Sequence, residues 1–201
     1  GYGNVLPFVG RVLLDTFGLI DKDIMVVEKL DTFLSTLSND YLTKPLYHNC
    51  IHGADVTQSV SLYFLNSNAE KVCQSKVLDL LGILIASMGH DLGHPGLTNN
   101  FQINASTDMA ITYNDISFLE NYHASKLFSI LRKEDTNILE KLTSQEYKLI
   151  RKRIISEILA TDMTNHVKVL TVLKSNIHKI ITNTGKIVNQ FKLSGNEKTK
   201  F

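Results

Sequence analysis

Leu80-Leu81-Gly82-Ile83-Leu84-Ile85-Ala86-Ser87-Met88, followed after Gly89 by His90-Asp91-Leu92-Gly93-His94-Pro95-Gly96-Leu97-Thr98-Asn99, is the stretch on which the reading of this chain turns. The apolar run is about half of the roughly 20 residues a membrane span requires, and Asp79 and His90-Asp91 bracket it. It reads as a buried core helix. A greasy helix that ends in imidazole and carboxylate delivers metal-type ligands into a protein interior, so chemistry is expected at its C-terminal end.

Outward from that helix, apolar residues recur three and four apart, and no clean period-2 alternation bounded by turn residues competes. The fold expected is all-α, a compact multi-helix bundle. Ile24, Val27, Leu30, Leu34 and Leu37 mark one helix face behind Asp21 or Asp23 as N-cap, ending near Ser38-Asn39-Asp40. A second helix is expected from about Tyr47 to Leu65, with His48, His52, Asp55 and Ser59 on neighbouring positions of one face. The third is the apolar helix itself. Gly93 to Asn114 reads as a looped connection with a short helix inside it. Ser117-Phe118-Leu119-Glu120 and Thr143-Ser144-Gln145-Glu146 both have capping-box form. Behind the first lie Leu119, Tyr122, Leu127, Ile130 and Leu131, and behind the second Tyr147, Ile150, Ile154, Ile158 and Leu159. Lys148, Arg151 and Lys152 read as a solvated helix face. After Thr161-Asp162 a further helical segment carries Val167, Leu170, Leu173 and Ile177, and the polar stretch 194–201 reads as a loose tail.

The 201 residues are 43% hydrophobic and 20% charged, within the ordinary range for one soluble domain. Lys and Arg number 21 against 20 Asp and Glu, so no global field draws in a nucleic acid or an anionic membrane. No nucleic-acid partner and no membrane contact are expected. Two cysteines, Cys50 and Cys73, are too few for a disulfide framework and point to a reducing, cytoplasmic compartment. The chain begins with Gly1 and shows no leader pattern, which reads as a piece of a longer parent whose tethering and homodimer formation stay open.

His48 and His52, four apart, are expected to look into one cavity from one helical turn. His90 and Asp91 supply a nitrogen and an oxygen ligand from a second element, and a catalytic ion site is usually completed from more than one element. Only a carboxylate can bridge two ions, which makes Asp91 the natural bridge of a two-metal site acting at phosphorus. Lone histidines are more often hydrogen-bonded core residues, and His123, His166 and His178 are read so.

At these residues a resemblance appears. Tyr47-His48-Asn49, His52-Gly53-Ala54-Asp55-Val56, His90-Asp91-x-x-His94-Pro95-Gly96, Leu119-Glu120-Asn121 and Ala160-Thr161-Asp162-Met163 resemble the successive motifs of the class I cyclic nucleotide phosphodiesterases, within the larger group of His-Asp metal-dependent phosphohydrolases. The resemblance runs in order from about residue 47 to 165. It implies hydrolysis of a 3',5'-cyclic nucleotide, cAMP or cGMP, to the 5' monophosphate by water activated between two divalent ions, Zn2+ at the tighter site and Mg2+ or Mn2+ at the second. By the same resemblance His48 is the general acid for the 3' oxygen and Glu120 the carboxylate orienting it. His52, His90 and Asp91 are ligands; His94, Asn99 and Thr161 hold water near the ions; and Tyr47 with His48 meets the substrate.

The family also carries a further aspartate ligand downstream, then a purine-gripping glutamine and a stacking phenylalanine. Asp162 stands too early for the first, and Gln190 and Phe191 lack the context of the others. The chain is therefore expected to be the N-terminal and middle parts of a catalytic domain, with little or no hydrolytic activity alone. The competing readings are a catalytically silent regulatory or dimerisation domain, and a phosphohydrolase acting on another phosphoester.

Overall fold

The computed structural model describes residues 4–41, 45–67 and 76–179, and among them every regular element is helical. The chain divides into two compact units, Gly1–Asp162 and Met163–Phe201. In the first, α1 (Val5–Thr16) and two short 3-10 turns lead to α2 (Leu30–Asp40), α3 (Cys50–Asn66) and α4 (Lys76–Gly89). Two short helices, α5 (Asn99–Asn104) and α6 (Asp108–Thr112), precede α7 (Phe118–Leu131) and α8 (Ser144–Leu159). The second unit opens with a 3-10 turn, Met163–Asn165, and continues as helix over 166–179, as the spacing of Val167, Leu170, Leu173 and Ile177 predicts. The stretch 194–201 lies outside the described residues.

The apolar run forms α4, the central helix, packed against α8, α3, α1 and α7. Leu81, Leu84, Ile85 and Met88 are fully or almost fully buried. Each such side chain contributes about 1.5–3 kcal/mol on leaving water, which anchors the turn that follows Gly89. Ile150, Ile154 and Ile158 of α8 are also fully buried. A Cβ added at Gly82 would make ordinary contacts with Ile150 and Ile154, so α8 packs on α4 without requiring glycine there.

Local readings fail in informative places. The helix expected from Asp21 or Asp23 begins only at Leu30, because Asp23 takes a left-handed conformation (φ 54°) and Val26 is extended. The Val26 amide donates to the Ile138 carbonyl at 2.9 Å, a partner 112 positions away that local periodicity does not reveal. The second helix starts at Cys50 rather than Tyr47, capped by the Asn49 side chain, which accepts from the Ile51 and His52 amides. His48 therefore lies outside the helix and shares no helical face with His52. In 93–114 there are two short helices, opened by Thr98 and Thr107 side chains that accept from the Phe101 and Ala110 amides. The Thr143 capping box forms with Glu146, whereas Ser117 makes no capping bond. Of the basic cluster, Lys148 and Lys152 are exposed, but Arg151 folds over the Phe128 ring.

Candidate metal centre

Asp91 sits in the turn after α4. Its Oδ2 lies 3.3 Å from His52 Nε2 and 3.3 Å from His90 Nε2, and its Oδ1 lies 3.9 Å from His123 Nε2. Three imidazoles from three elements thus converge on one carboxylate. The turn is fixed by the Leu92 amide bonding the Gly89 carbonyl and the His94 amide bonding the Asp91 carbonyl. Leu92, with no exposure, plugs the turn into the core, and Gly93 supplies the φ of +73° on which the chain reverses.

α3 is held against the end of α4 by Tyr41. This buried phenol donates to the Met88 carbonyl at 2.9 Å, and its ring occupies the space a Cβ on residue 53 would need, 2.9 Å from Tyr41 Oη. Glycine at 53 is what allows His52 to approach Asp91. Burial, and after it the Asp91 charge, raises the Tyr41 pKa further above the ordinary phenol value, so it remains a donor.

The second ring nitrogens decide what each histidine can do. His90 Nδ1 is 2.8 Å from the Ser87 carbonyl and His123 Nδ1 is 2.8 Å from the Leu92 carbonyl. A carbonyl only accepts, so both Nδ1 atoms carry hydrogen and both Nε2 atoms of the neutral rings offer a lone pair toward Asp91. His94 is the reverse. Its Nδ1 accepts from the Gly96 amide at 2.9 Å, so its Nε2 carries the hydrogen and acts as a donor. That is the tautomer of a group that holds water or an oxyanion rather than a metal.

Burial pulls His94 and His123 down to about 4, which keeps both neutral near pH 7. Burial also opposes charge on His90 and Asp91. For these two, the hydrogen bonds and attraction between them win, with His52 adding to the pull on Asp91, so His90 is raised and Asp91 held well below the usual carboxylate range.

Among the described residues two groups have ligand atoms close enough together to hold an ion, His52-His90-Asp91 and Asp91-His94-His123. The first fits a divalent cation. Ligands about 2.0–2.1 Å from a tetrahedral centre are about 3.3–3.4 Å apart, matching the two separations at Asp91 Oδ2. The second shares Asp91 but contains the His94 donor nitrogen, leaving His123 as its one histidine with a lone pair to give.

The other expected residues lie around this cluster. His48, half-buried, stacks on His94 with centroids 3.9 Å apart and planes 9° from parallel. Tyr47 is exposed and packs its ring 4.4 Å from that of His52. Asn49 Nδ2 donates to the Leu46 carbonyl at 3.1 Å, closing the turn that displays both side chains. Asn99 is the first residue of α5; its Nδ2 donates to Glu120 Oε2 at 3.1 Å, and its Oδ1 accepts from the Leu119 amide at 3.3 Å. Glu120 is thus held by Asn99 rather than by His48, and burial raises its pKa despite that bond. The Thr161 hydroxyl donates to the Ile158 carbonyl at 2.7 Å, and Thr161 lines an apolar cavity of about 390 Å3 with His90.

The residue missed in the sequence is His123. Its spacing of three from Glu120 on one helix was the available signal, because i and i+3 share a helix face.

An all-helical fold that gathers histidines around an aspartate able to hold an ion is the class of domain that the described residues define. The profile of the 3'5'-cyclic nucleotide phosphodiesterases matches residues 47–199, and the chain belongs to that family. It is 43% identical over 154 residues to 3',5'-cyclic-nucleotide phosphodiesterase regA of Dictyostelium discoideum, a match covering 77% of this chain and 19% of that one. It is 39% identical over 175 residues to the probable 3',5'-cyclic phosphodiesterase pde-1 of Caenorhabditis elegans, covering 86% of this chain and 26% of that one. Identity to the cGMP-specific 3',5'-cyclic phosphodiesterase gamma of Plasmodium yoelii is 38% over 172 residues, covering 86% of this chain and 22% of that one. The crystal structure of the phosphodiesterase domain of the RhoPDE fusion protein of Salpingoeca rosetta superposes with a TM-score of 0.79 at 34% identity, over 85% of this chain and 52% of that domain. The chain thus spans about a quarter or less of the curated relatives and half of a solved domain.

Proposed function

We propose that this chain carries the metal-binding part of an enzyme that hydrolyses 3',5'-cyclic nucleotides to 5' monophosphates. The observation that carries the reading is the convergence of His52, His90 and Asp91, with His90 already in the ligand tautomer. These three residues would hold a Zn2+-type ion, with Asp91 also reaching a Mg2+- or Mn2+-type ion. A divalent cation bound there supplies Lewis-acid polarisation of the phosphoryl group and makes water a stronger acid.

The chain's own groups supply positioning and protons. His48, half-buried beside exposed Tyr47, serves as the general acid for the departing 3' oxygen. The His94 N–H faces the same space through its stack with His48 and donates to a water or phosphoryl oxygen. Asn99 fixes the Glu120 carboxylate as an acceptor for water, and Thr161 keeps its hydroxyl lone pairs for the same purpose. The turn bonds at Leu92 and His94 and the Tyr41 strut preset the cluster, so little rearrangement is needed on substrate binding.

The test is turnover of cAMP and of cGMP by the catalytic domain that contains this chain, beside the same domain with Asp91→Ala. Turnover of either nucleotide that disappears with Asp91→Ala, while helical content and thermal midpoint persist, supports the reading. A domain that binds metal yet turns over neither nucleotide overturns it.

A further inference from the structure

α7 has two working sides. One carries Glu120 and His123 toward the metal centre. The other, with α8, walls a cleft of about 340 Å3 lined by Tyr113, Asn121, Phe128, Arg132, Arg151 and Ile155 among others, and no residue of the metal centre belongs to it. Its volume is at the lower end of small-molecule sites.

The arginines single this cleft out. Among the described residues Arg11 pairs with Asp31 and Arg153 with Asp79. The remaining two, Arg132 and Arg151, pair with no described carboxylate, and both line this cleft. Arg151 is also held in place. Its guanidinium lies 4.1 Å from the centroid of the buried Phe128 ring, a cation–π contact that restrains a side chain lining the cleft. Beside it, Asn121 spends its Nδ2 on the Ile116 and Ser117 carbonyls, so its Oδ1 remains an acceptor. Ile155, Phe128 and Tyr113 give apolar wall. Two unpaired guanidinium forks, one amide acceptor and an apolar wall are the complement of a small organic anion with a phosphate or carboxylate head.

We propose that the α7/α8 cleft is a binding site for such an anion, separate from the metal centre. Arg151 and Arg132 grip the head, and the body lies along Ile155 and Tyr113. Asn121, which ties down the residues just before α7, connects an occupant to the helix that carries Glu120 and His123.

The test uses the full chain, freed of metal and kept in chelator, with phenyl phosphate and benzoate as separate probes in calorimetric or ligand-observed NMR titrations. Saturable binding of at least one probe is expected, weakened tenfold or more by Arg151→Gln and by Arg132→Gln and unchanged by Asp91→Asn. Binding of phenyl phosphate alone assigns a phosphate head, and of benzoate alone a carboxylate. Because Arg151 also packs on Phe128, the exposed Arg132→Gln decides if Arg151→Gln loses the fold. No saturable binding of either probe, binding indifferent to Arg132→Gln, or binding lost with Asp91→Asn overturns the proposal.

Discussion

The N-termini of α7 and α8 are written in the same way and built differently. Ser117-Phe118-Leu119-Glu120 and Thr143-Ser144-Gln145-Glu146 both carry a hydroxyl residue and, three positions on, a glutamate. At α8 the pattern closes on itself: Thr143 accepts from the Glu146 amide, and Glu146 returns to the Thr143 amide at 2.9 Å. At α7 it is pulled open. Ser117 sits at φ 42° and gives its hydroxyl to Asp162, while Glu120 turns inward to Asn99. Glu120 thus forgoes its local partner for one 21 residues away, and burial raises its pKa. The surface glutamate of α8 does only the local work.

This contrast can be pressed hardest at the carboxylate that the α7 side serves. Asp91→Asn removes the group on which three imidazoles converge, and zinc binding to the metal-free chain, measured by calorimetry, should fall by more than a hundredfold. Thr143→Ala should leave zinc affinity unchanged. Next in size, Glu120→Gln should cost roughly 10–100-fold in metal affinity or in turnover by the parent domain, as disruption of groups around metal ligands does. Glu146→Gln should cost nothing in either assay, and an equal loss in both variants would erase the contrast.

A smaller effect runs the other way. Thr143→Ala should lower unfolding free energy by roughly 0.5–2 kcal/mol in urea denaturation, the usual value of an N-cap. Ser117→Ala should show no cap loss of its own, and whatever it costs should vanish in an Asp162→Ala background, which removes the acceptor of its hydroxyl.

The smallest effect is a difference of sign with pH in the metal-free chain. Hydrogen bonds from Thr143 lower the Glu146 pKa, so its contribution is present above the ordinary carboxylate range and is lost as pH falls through the folded value. Burial raises that of Glu120, so stability falls as pH rises from the ordinary value through the raised one. As pH rises, wild type should gain on Glu146→Gln up to the ordinary carboxylate value and lose ground to Glu120→Gln above it.

The same contrast explains what the sequence could and could not say. The α4 run and His90-Asp91 were legible because the mostly apolar stretch 80–88 leaves one structural option and the ligands follow one residue later. The Thr143 box was legible because its partners are local. What failed depended on partners far along the chain: the Val26 pairing with Ile138 that delays α2, and the Asp162 and Asn99 bonds that open the Ser117 box; His123 is the buried, hydrogen-bonded residue expected, and only its nearness to Asp91 was hidden. The stack of His48 on His94 was hidden for the same reason, since the turn after α4 supplies the second ring. The start of α3 was misplaced for a different reason. Its N-cap is Asn49, whose side-chain oxygen accepts from the Ile51 and His52 amides and leaves Tyr47 and His48 outside the helix.

The central claim is that His52, His90 and Asp91 form a metal centre rather than a buried ion-pair cluster. Crystals of the chain grown with Zn2+ and measured on both sides of the zinc absorption edge decide it. The account predicts one strong anomalous peak about 2.0–2.1 Å from His52 Nε2, His90 Nε2 and a carboxylate oxygen of Asp91. Density free of any anomalous peak at this cluster, with zinc bound elsewhere or nowhere, would contradict it.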